Sequence, residues 1–178
     1  MPVPCRVRRR TEGLTSRFIT SPNATSVAIS GRGVVSGSAF PFLRDPSGFC
    51  HTAALPLPGS FCWSLVNMDN GASHRLEGLV LHDPPKFHFR SYAPSVAVLG
   101  VKLLGAWTPN SDGVVVGAAG SIKDSYIRSS DDSIKLFGSG SEVADCVVWQ
   151  GVNGAVFQLG WWMKHDYHSI IVSRVTVL

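Results

Sequence analysis

Leu76-Glu77-Gly78-Leu79-Val80-Leu81 is a six-residue pattern that this chain repeats, and the repeat decides the fold. It returns as Val98-Leu99-Gly100-Val101-Lys102-Leu103 and as Ile122-Lys123-Asp124-Ser125-Tyr126-Ile127. Two later copies are Val143-Ala144-Asp145-Cys146-Val147-Val148 and Val172-Ser173-Arg174-Val175-Thr176-Val177. Successive copies start 22, 24, 21 and 29 residues apart. The first, fourth and sixth positions are mostly apolar. An unbroken strand keeps one face at every second residue, so this pattern suits a strand with a bend or bulge near its middle.

Most copies also carry a second short apolar run: Phe87–Phe89, Val114–Val116, Ile134–Leu136 and Phe157–Leu159. Repeats of this length, with two or three short strands each, predict an all-β chain wound as a right-handed parallel β-helix. One coil cannot bury its inner face alone. Stacked coils share an apolar column and bond edge to edge at about 4.8 Å. A leucine-rich repeat would need the L-x-x-L-x-L signature and a helical half, and neither is present. A β-sandwich with regular turns is the plainer alternative.

Outward from the repeat, the pattern thins. Val27–Gly37 reads as a strand, a glycine turn and another strand, an early coil of the same solenoid. Residues 38–72, rich in Pro, Gly and Ser, read as a loop excursion, and residues 1–25 form an unassigned basic segment. The expected β-helix domain therefore runs over 26–178 and stops inside a strand at Leu178, so we expect a solenoid incomplete at its ends.

Composition narrows the function classes. Only 16% of residues are charged, and mean hydropathy is slightly positive, which argues against wholesale disorder. The net charge of +4 is matched by Arg6, Arg8, Arg9 and Arg10 alone. No basic stripe interleaved with aromatics remains to bind nucleic acid. No apolar run reaches the 18 residues of a membrane span, and no apolar signal-peptide core opens the chain. Cys5, Cys50, Cys62 and Cys146 are too scattered for a zinc motif; Cys50 and Cys62 could pair across a loop, and Cys146 reads as a small buried residue. The histidines lack metal-ligand spacing and no cofactor motif is present, so we expect neither metal nor cofactor. Asn23-Ala24-Thr25 is a glycosylation sequon that matters only outside the cell. We expect a monomer.

The chemistry-bearing residues are Asp112, in Asn110-Ser111-Asp112-Gly113, and Asp131-Asp132, 19 residues further on. Asp112 lies two residues before Val114 and Asp132 two before Ile134, which places both at one corner of adjacent coils. Clustered carboxylates repel, so at least one should hold a proton near neutral pH, as acid–base cleavage of a glycosidic bond requires. With Ile134 and Leu136 inside, alternation turns Lys135 outward beside the carboxylates, and Gln158 takes the matching place one coil later. Trp149, Trp161 and Trp162 lie nearby in sequence, and flat rings beside carboxylates suit a carbohydrate site. Taken singly each feature is bland: Asn-Ser-Asp-Gly is an ordinary turn, Asp-Asp a common solvated pair, and clustered aspartates can also hold calcium.

The runs Gly105–Gly113, Ser129–Phe137 and Cys146–Trp161 together resemble glycoside hydrolase family 49, the dextranases and isopullulanases, related in fold and catalytic layout to the polygalacturonases. The upstream stretch Ile29–Gly37 resembles an early coil of these enzymes. The resemblance implies a parallel β-helix in a secreted, inverting hydrolase of α-glucans. It implies Asp131 as general acid, with Asp112 and Asp132 holding and deprotonating the attacking water. Inversion places acid and base roughly 6.5–9.5 Å apart. Lys135, Gln158, Trp161, Asn110 and Trp149 would be substrate contacts. The Gly-His-Gly turn and Arg-Ile-Lys segment of polygalacturonases are missing, which favours a neutral glucan over pectin. Trp162-Met163-Lys164-His165-Asp166 stands where the family continues with a Pro-Arg-like stretch. A carbohydrate-binding β-helix without turnover, an inactive truncated chain and a pectin hydrolase are the competing readings.

Overall fold

The computed structural model describes residues 19–20, 25–37, 64–68, 71–84, 86–105, 110–117, 119–160 and 166–178. Every strand pairing among them is parallel. The chain winds as a β-solenoid, coil upon coil. The first coil carries β1 (Ile19–Thr20), β2 (Ser26–Ser30) and β3 (Val34–Ser36); the next carries β4 (Ser64–Met68), β5 (Ser73–Glu77) and β6 (Val80–His82). Then come β7 (Phe87–Ser91), β8 (Ser95–Leu99) and β9 (Lys102–Leu104), followed by β10 (Val114–Val116), β11 (Gly120–Lys123) and β12 (Tyr126–Ser129). The last windings hold β13 (Ile134–Leu136), β14 (Glu142–Gln150), β15 (Phe157–Leu159) and β16 (Ile171–Val177). One sheet stacks β1-β4-β7-β10-β13-β15; a ten-stranded sheet takes the rest and joins its two flanks through the long β14, which β16 also pairs.

The six-residue repeat straddles a bend. Its third position is Gly78, Gly100, Asp124, Asp145 or Arg174, and all five have positive φ, between 50° and 73°. A left-handed residue there turns the strand and resets its alternation, so the inner positions become first, fourth and sixth. Leu76, Leu79 and Leu81 are accordingly buried, as are Val98, Val101 and Leu103, and Val143, Cys146 and Val148. Each such side chain contributes roughly 1.5–3 kcal/mol on burial, and a one-residue slip would turn the whole set outward. Register is therefore fixed by the column itself. Ser125 replaces an apolar residue at one inner corner; its hydroxyl donates to the Lys123 carbonyl at 2.7 Å and accepts from the Val101 amide at 3.2 Å. Cys146 at the next corner is a free, buried thiol.

Of the loop expected at 38–72, residues 38–63 and 69–70 lie outside the described residues, and 64–68 form a strand instead. Ser64–Met68 is a fully buried strand that pairs with β7. Its residues do not alternate in polarity because both faces are covered, with Asn67 on the outer side accepting a hydrogen bond from Arg90 Nε at 2.8 Å. The basic run Arg6–Arg10, the Asn23 sequon and the cysteines Cys5, Cys50 and Cys62 lie outside the described residues. No described helix is long and apolar enough to cross a membrane.

Candidate active site

The six-stranded sheet turns Phe89, Val114, Val116, Ile134 and Leu136 into the core. Its opposite face carries one residue per coil in register: Asn67 with Arg90, Arg90 with Val115, Val115 with Lys135, and Lys135 with Gln158. The middle of this ladder, Arg90, Val115 and Lys135, floors a groove of about 790 Å³. Asn110, Asp112, Asp131, Asp132 and Lys135 all line it, together with Lys86, Phe87, Arg90, Tyr92, Phe137, Asn153 and Gly154.

Adjacent coils bring the carboxylates together as the count from Val114 and Ile134 implies. The Gly113 amide donates to the Asp132 carbonyl at 3.0 Å and the Val114 amide to that of Ser133 at 2.9 Å, which sets Asp112 beside Asp132. Lys135 Nζ contacts Asp112 Oδ2 and lies 3.0 Å from Asp132 Oδ2, with the Phe87 ring centroid 5.3 Å away. The cation between these two carboxylates is thus supplied by the chain itself. Among the described residues no group of three or more His, Cys, Asp or Glu is placed to hold a metal ion.

Asp131 stands apart from that pair. Its Oδ1 accepts the Asp132 amide at 2.9 Å and its Oδ2 accepts from Asn153 Nδ2 at 3.1 Å. Asp132 Oδ1 accepts the Ala155 amide at 2.8 Å. The turn Asn153-Gly154-Ala155, one coil on, therefore grips both aspartates. Gly154 has φ +75°, and a Cβ there would lie 2.4 Å from Asp131 Oδ1 and from the Asp132 nitrogen, so only glycine lets the turn approach. From beneath, Ser129 Oγ and Gln150 Nε2 donate to the Asp131 carbonyl at 2.9 and 3.0 Å, and Ser133 Oγ donates to Gln150 Oε1 at 2.6 Å.

Burial first, and the charges of Asp131 and Asp132 second, push the Asp112 carboxyl up to about 7 against the pull of Lys135. Burial pulls Lys135 down, yet Asp112 and Asp132 together outweigh it and hold the ammonium above its ordinary value. Both partners of the ion pair thus shift upward. Lys135 holds its proton, and burial, against the pull of Lys135, makes Asp112 the group whose charge varies near neutrality. Beneath Asp112, His88 is fully buried, with Nδ1 2.8 Å from the Asp112 carbonyl oxygen and Nε2 2.9 Å from that of Leu104. Burial pushes its imidazole below the ordinary value despite those carbonyls.

Two expected contacts fall elsewhere. Trp149 does not line the groove: it is 45% exposed on the outer face of β14, with the Arg128 guanidinium carbon 4.9 Å from its ring centre. Gln158 keeps its register with Lys135 but also does not line the groove, and its Oε1 is buried without a hydrogen-bond partner among the described residues. Trp161 and Trp162 lie outside the described residues. Among the described residues the aromatic lining is Phe87, Tyr92 and Phe137. Sequence reasoning passed over these rings, as it did Arg90, Asn153, Gly154 and His88. Only the turn-forming Asn-Gly at 153–154 carried a readable signal.

This parallel β-helix has counterparts among known proteins. No protein-family profile matches the chain. A dextranase from Arthrobacter globiformis is 24% identical over 158 residues, covering 84% of this chain and 24% of its own. An isopullulanase from Aspergillus niger is 23% identical over 162 residues, covering 87% of this chain and 28% of its own. The solved structure of Dex49A from Penicillium minioluteum shares the fold, with a TM-score of 0.55 at 17% identity over 89% of this chain and 30% of that one. The chain spans about a quarter of the length of the curated relatives it matches. It is distantly similar to these dextranases and this isopullulanase, which are members of glycoside hydrolase family 49.

Proposed function

We propose that this protein is a secreted, monomeric glycoside hydrolase that cleaves an α-glucan of the dextran or pullulan kind with inversion at the anomeric carbon. One observation carries the reading: Lys135 ties Asp112 and Asp132 into a pair while Asp131 stands apart on neutral donors. Inverting hydrolysis needs this division of labour. Asp131 gives its proton to the leaving glycosidic oxygen as the C–O bond breaks. Asp112 and Asp132 hold a water on the opposite face of the sugar ring and take its proton as the new C–O bond forms. Net transfer is one proton from Asp131 to the pair, restored through solvent. A carboxyl raised to about 7 is a stronger base than an ordinary aspartate, which supports Asp112 as the acceptor. Asn110 and Lys135 contact the sugar from the groove, and Trp161 keeps the contact role its family position implies.

The test is reducing-sugar release from dextran, pullulan and polygalacturonate between pH 5 and 8, with anomeric-proton NMR of the first product. Release of the α-anomer first would contradict inversion on an α-linkage. Inertness toward every polymer would remove the hydrolase reading. Polygalacturonate belongs in the panel because Lys86 and Arg90 line the groove, the one observation that favours an acidic substrate.

A further inference from the structure

We infer that Tyr92 and Phe137 form a second sugar-binding platform at the far end of the groove, one that grips a glucan chain away from the bond being cut. This rests on the polysaccharide reading of the site and adds to it a subsite and a preference for long chains. Three observations converge. Ser91, Val116 and Leu136 are in register, so Tyr92, Gly117 and Phe137 occupy the next rung of three adjacent coils. The Gly117 amide donates to the Ser91 carbonyl and the Phe137 amide to the Val116 carbonyl, both at 2.9 Å, which keeps that rung in step.

The middle position is bare. A Cβ at Gly117 would already stand 3.1 Å from the Tyr92 Cα, and any larger side chain would rise between the flanking rings. With glycine there, the two rings lie near-parallel, 11° between planes and 6.4 Å between centroids. Tyr92 is 44% exposed, open to the groove it lines, and the Arg90 guanidinium carbon sits 5.3 Å from its ring centre. The exposed Tyr92 ring, with the half-buried Phe137 beside it, offers the apolar C–H face of a pyranose a dry surface, while the tyrosine hydroxyl and the guanidinium reach its hydroxyls.

The platform's distance from the acids sets its role. Asp132 precedes β13 and Phe137 follows it, so the three strand residues Ile134–Leu136 stand between them, roughly 10 Å at the rise of a strand. That exceeds the reach of a single pyranose ring, so the ring bound here is more than one unit from the scissile linkage. Short oligosaccharides cannot span both places, whereas longer ones can.

The experiment is calorimetric titration of isomalto-oligosaccharides of increasing length into the full chain carrying Asp131→Asn, with and without Tyr92→Ala. We expect affinity to climb with length in the single variant. The climb is lost in the double variant, with about tenfold weaker binding of the longest oligomer. Tyr92→Phe, which keeps the ring, restores the climb and guards against misfolding as the cause. Identical length dependence with and without Tyr92→Ala overturns the platform, as does binding that never improves with length. Binding that improves with length in a wild-type protein unable to hydrolyse removes the hydrolase reading and leaves the platform standing.

Discussion

Lys135 and Asp112 form a buried ion pair whose ammonium is shared with Asp132, and both carboxylates depend on that one positive charge. Removing it leaves two negative groups desolvated within the groove. Lys135→Met should lower stability by roughly 3–5 kcal/mol near neutral pH, the cost of breaking a buried pair from one side. It should also cut kcat by at least a hundredfold. Urea denaturation and steady-state kinetics on dextran check both, and a variant of unchanged stability would mean the carboxylates are compensated elsewhere.

The elevated proton affinity of Asp112 gives a pH signature. As a base it works only when ionised, so kcat/KM should rise with pH to a half-point near 7, and Asp112→Asn should erase that limb with most of the activity. Its effect on stability runs the opposite way. Between 3.8 and about 7 the folded chain keeps a proton that the unfolded chain releases, so this group's contribution is full below 3.8 and is lost as pH rises through 7. Relative to wild type, Asp112→Asn should gain stability with rising pH across that window, as thermal melts at stepped pH would show.

The turn that grips the aspartates offers a second probe. Gly154→Ala places a methyl in contact with Asp131 and demands a left-handed alanine, for a predicted loss of about 1–3 kcal/mol. Asn153→Ala removes one donor to Asp131 Oδ2 without that clash. It should leave melting within about 1 kcal/mol of wild type and reduce kcat more than it raises KM. Equal effects on stability from both substitutions would show that the glycine conformation is not the constraint.

His88 should behave as a structural peg rather than a ligand. His88→Leu removes the ring's hydrogen bond and leaves the Asp112 and Leu104 carbonyls only their backbone donors, the amides of His88 and Asp83, at a cost of about 1 kcal/mol. Because burial depresses the wild-type imidazole, its contribution is present above 6.5 and is lost as pH falls below that value. The gap between wild type and variant should therefore narrow on acidification, measurable by denaturant titration at pH 7.5 and 5.5.

Much of this architecture is readable from residue spacing. The count of two residues from Asp112 to Val114 and from Asp132 to Ile134 gives the shared corner, and alternation around Ile134 gives the outward Lys135. Each relies on a rule that holds inside a regular strand. Trp149 shows where such rules stop: the left-handed Asp145 turns β14 onto another flank of the solenoid, so a ring near in sequence faces away in space. Tyr92 and Phe137 sit one residue past their strands, where alternation no longer specifies direction. Trp161 stays an expectation carried by the resemblance alone. The doubly covered Ser64–Met68 offers no polarity pattern to recognise amid its Pro- and Gly-rich surroundings.

The coil-to-coil hydrogen bond from Gly113 to Asp132 has a consequence for how such a centre changes over generations. The reacting groups come from separate windings, and the turn that steadies them from a third, so no single repeat owns the chemistry. Duplicating or deleting a whole winding between Asp112 and Asn153 would preserve the scaffold's ladder and dissolve the centre at once. Lengthening an outer corner elsewhere would reshape what the groove admits while leaving the proton carriers where they are.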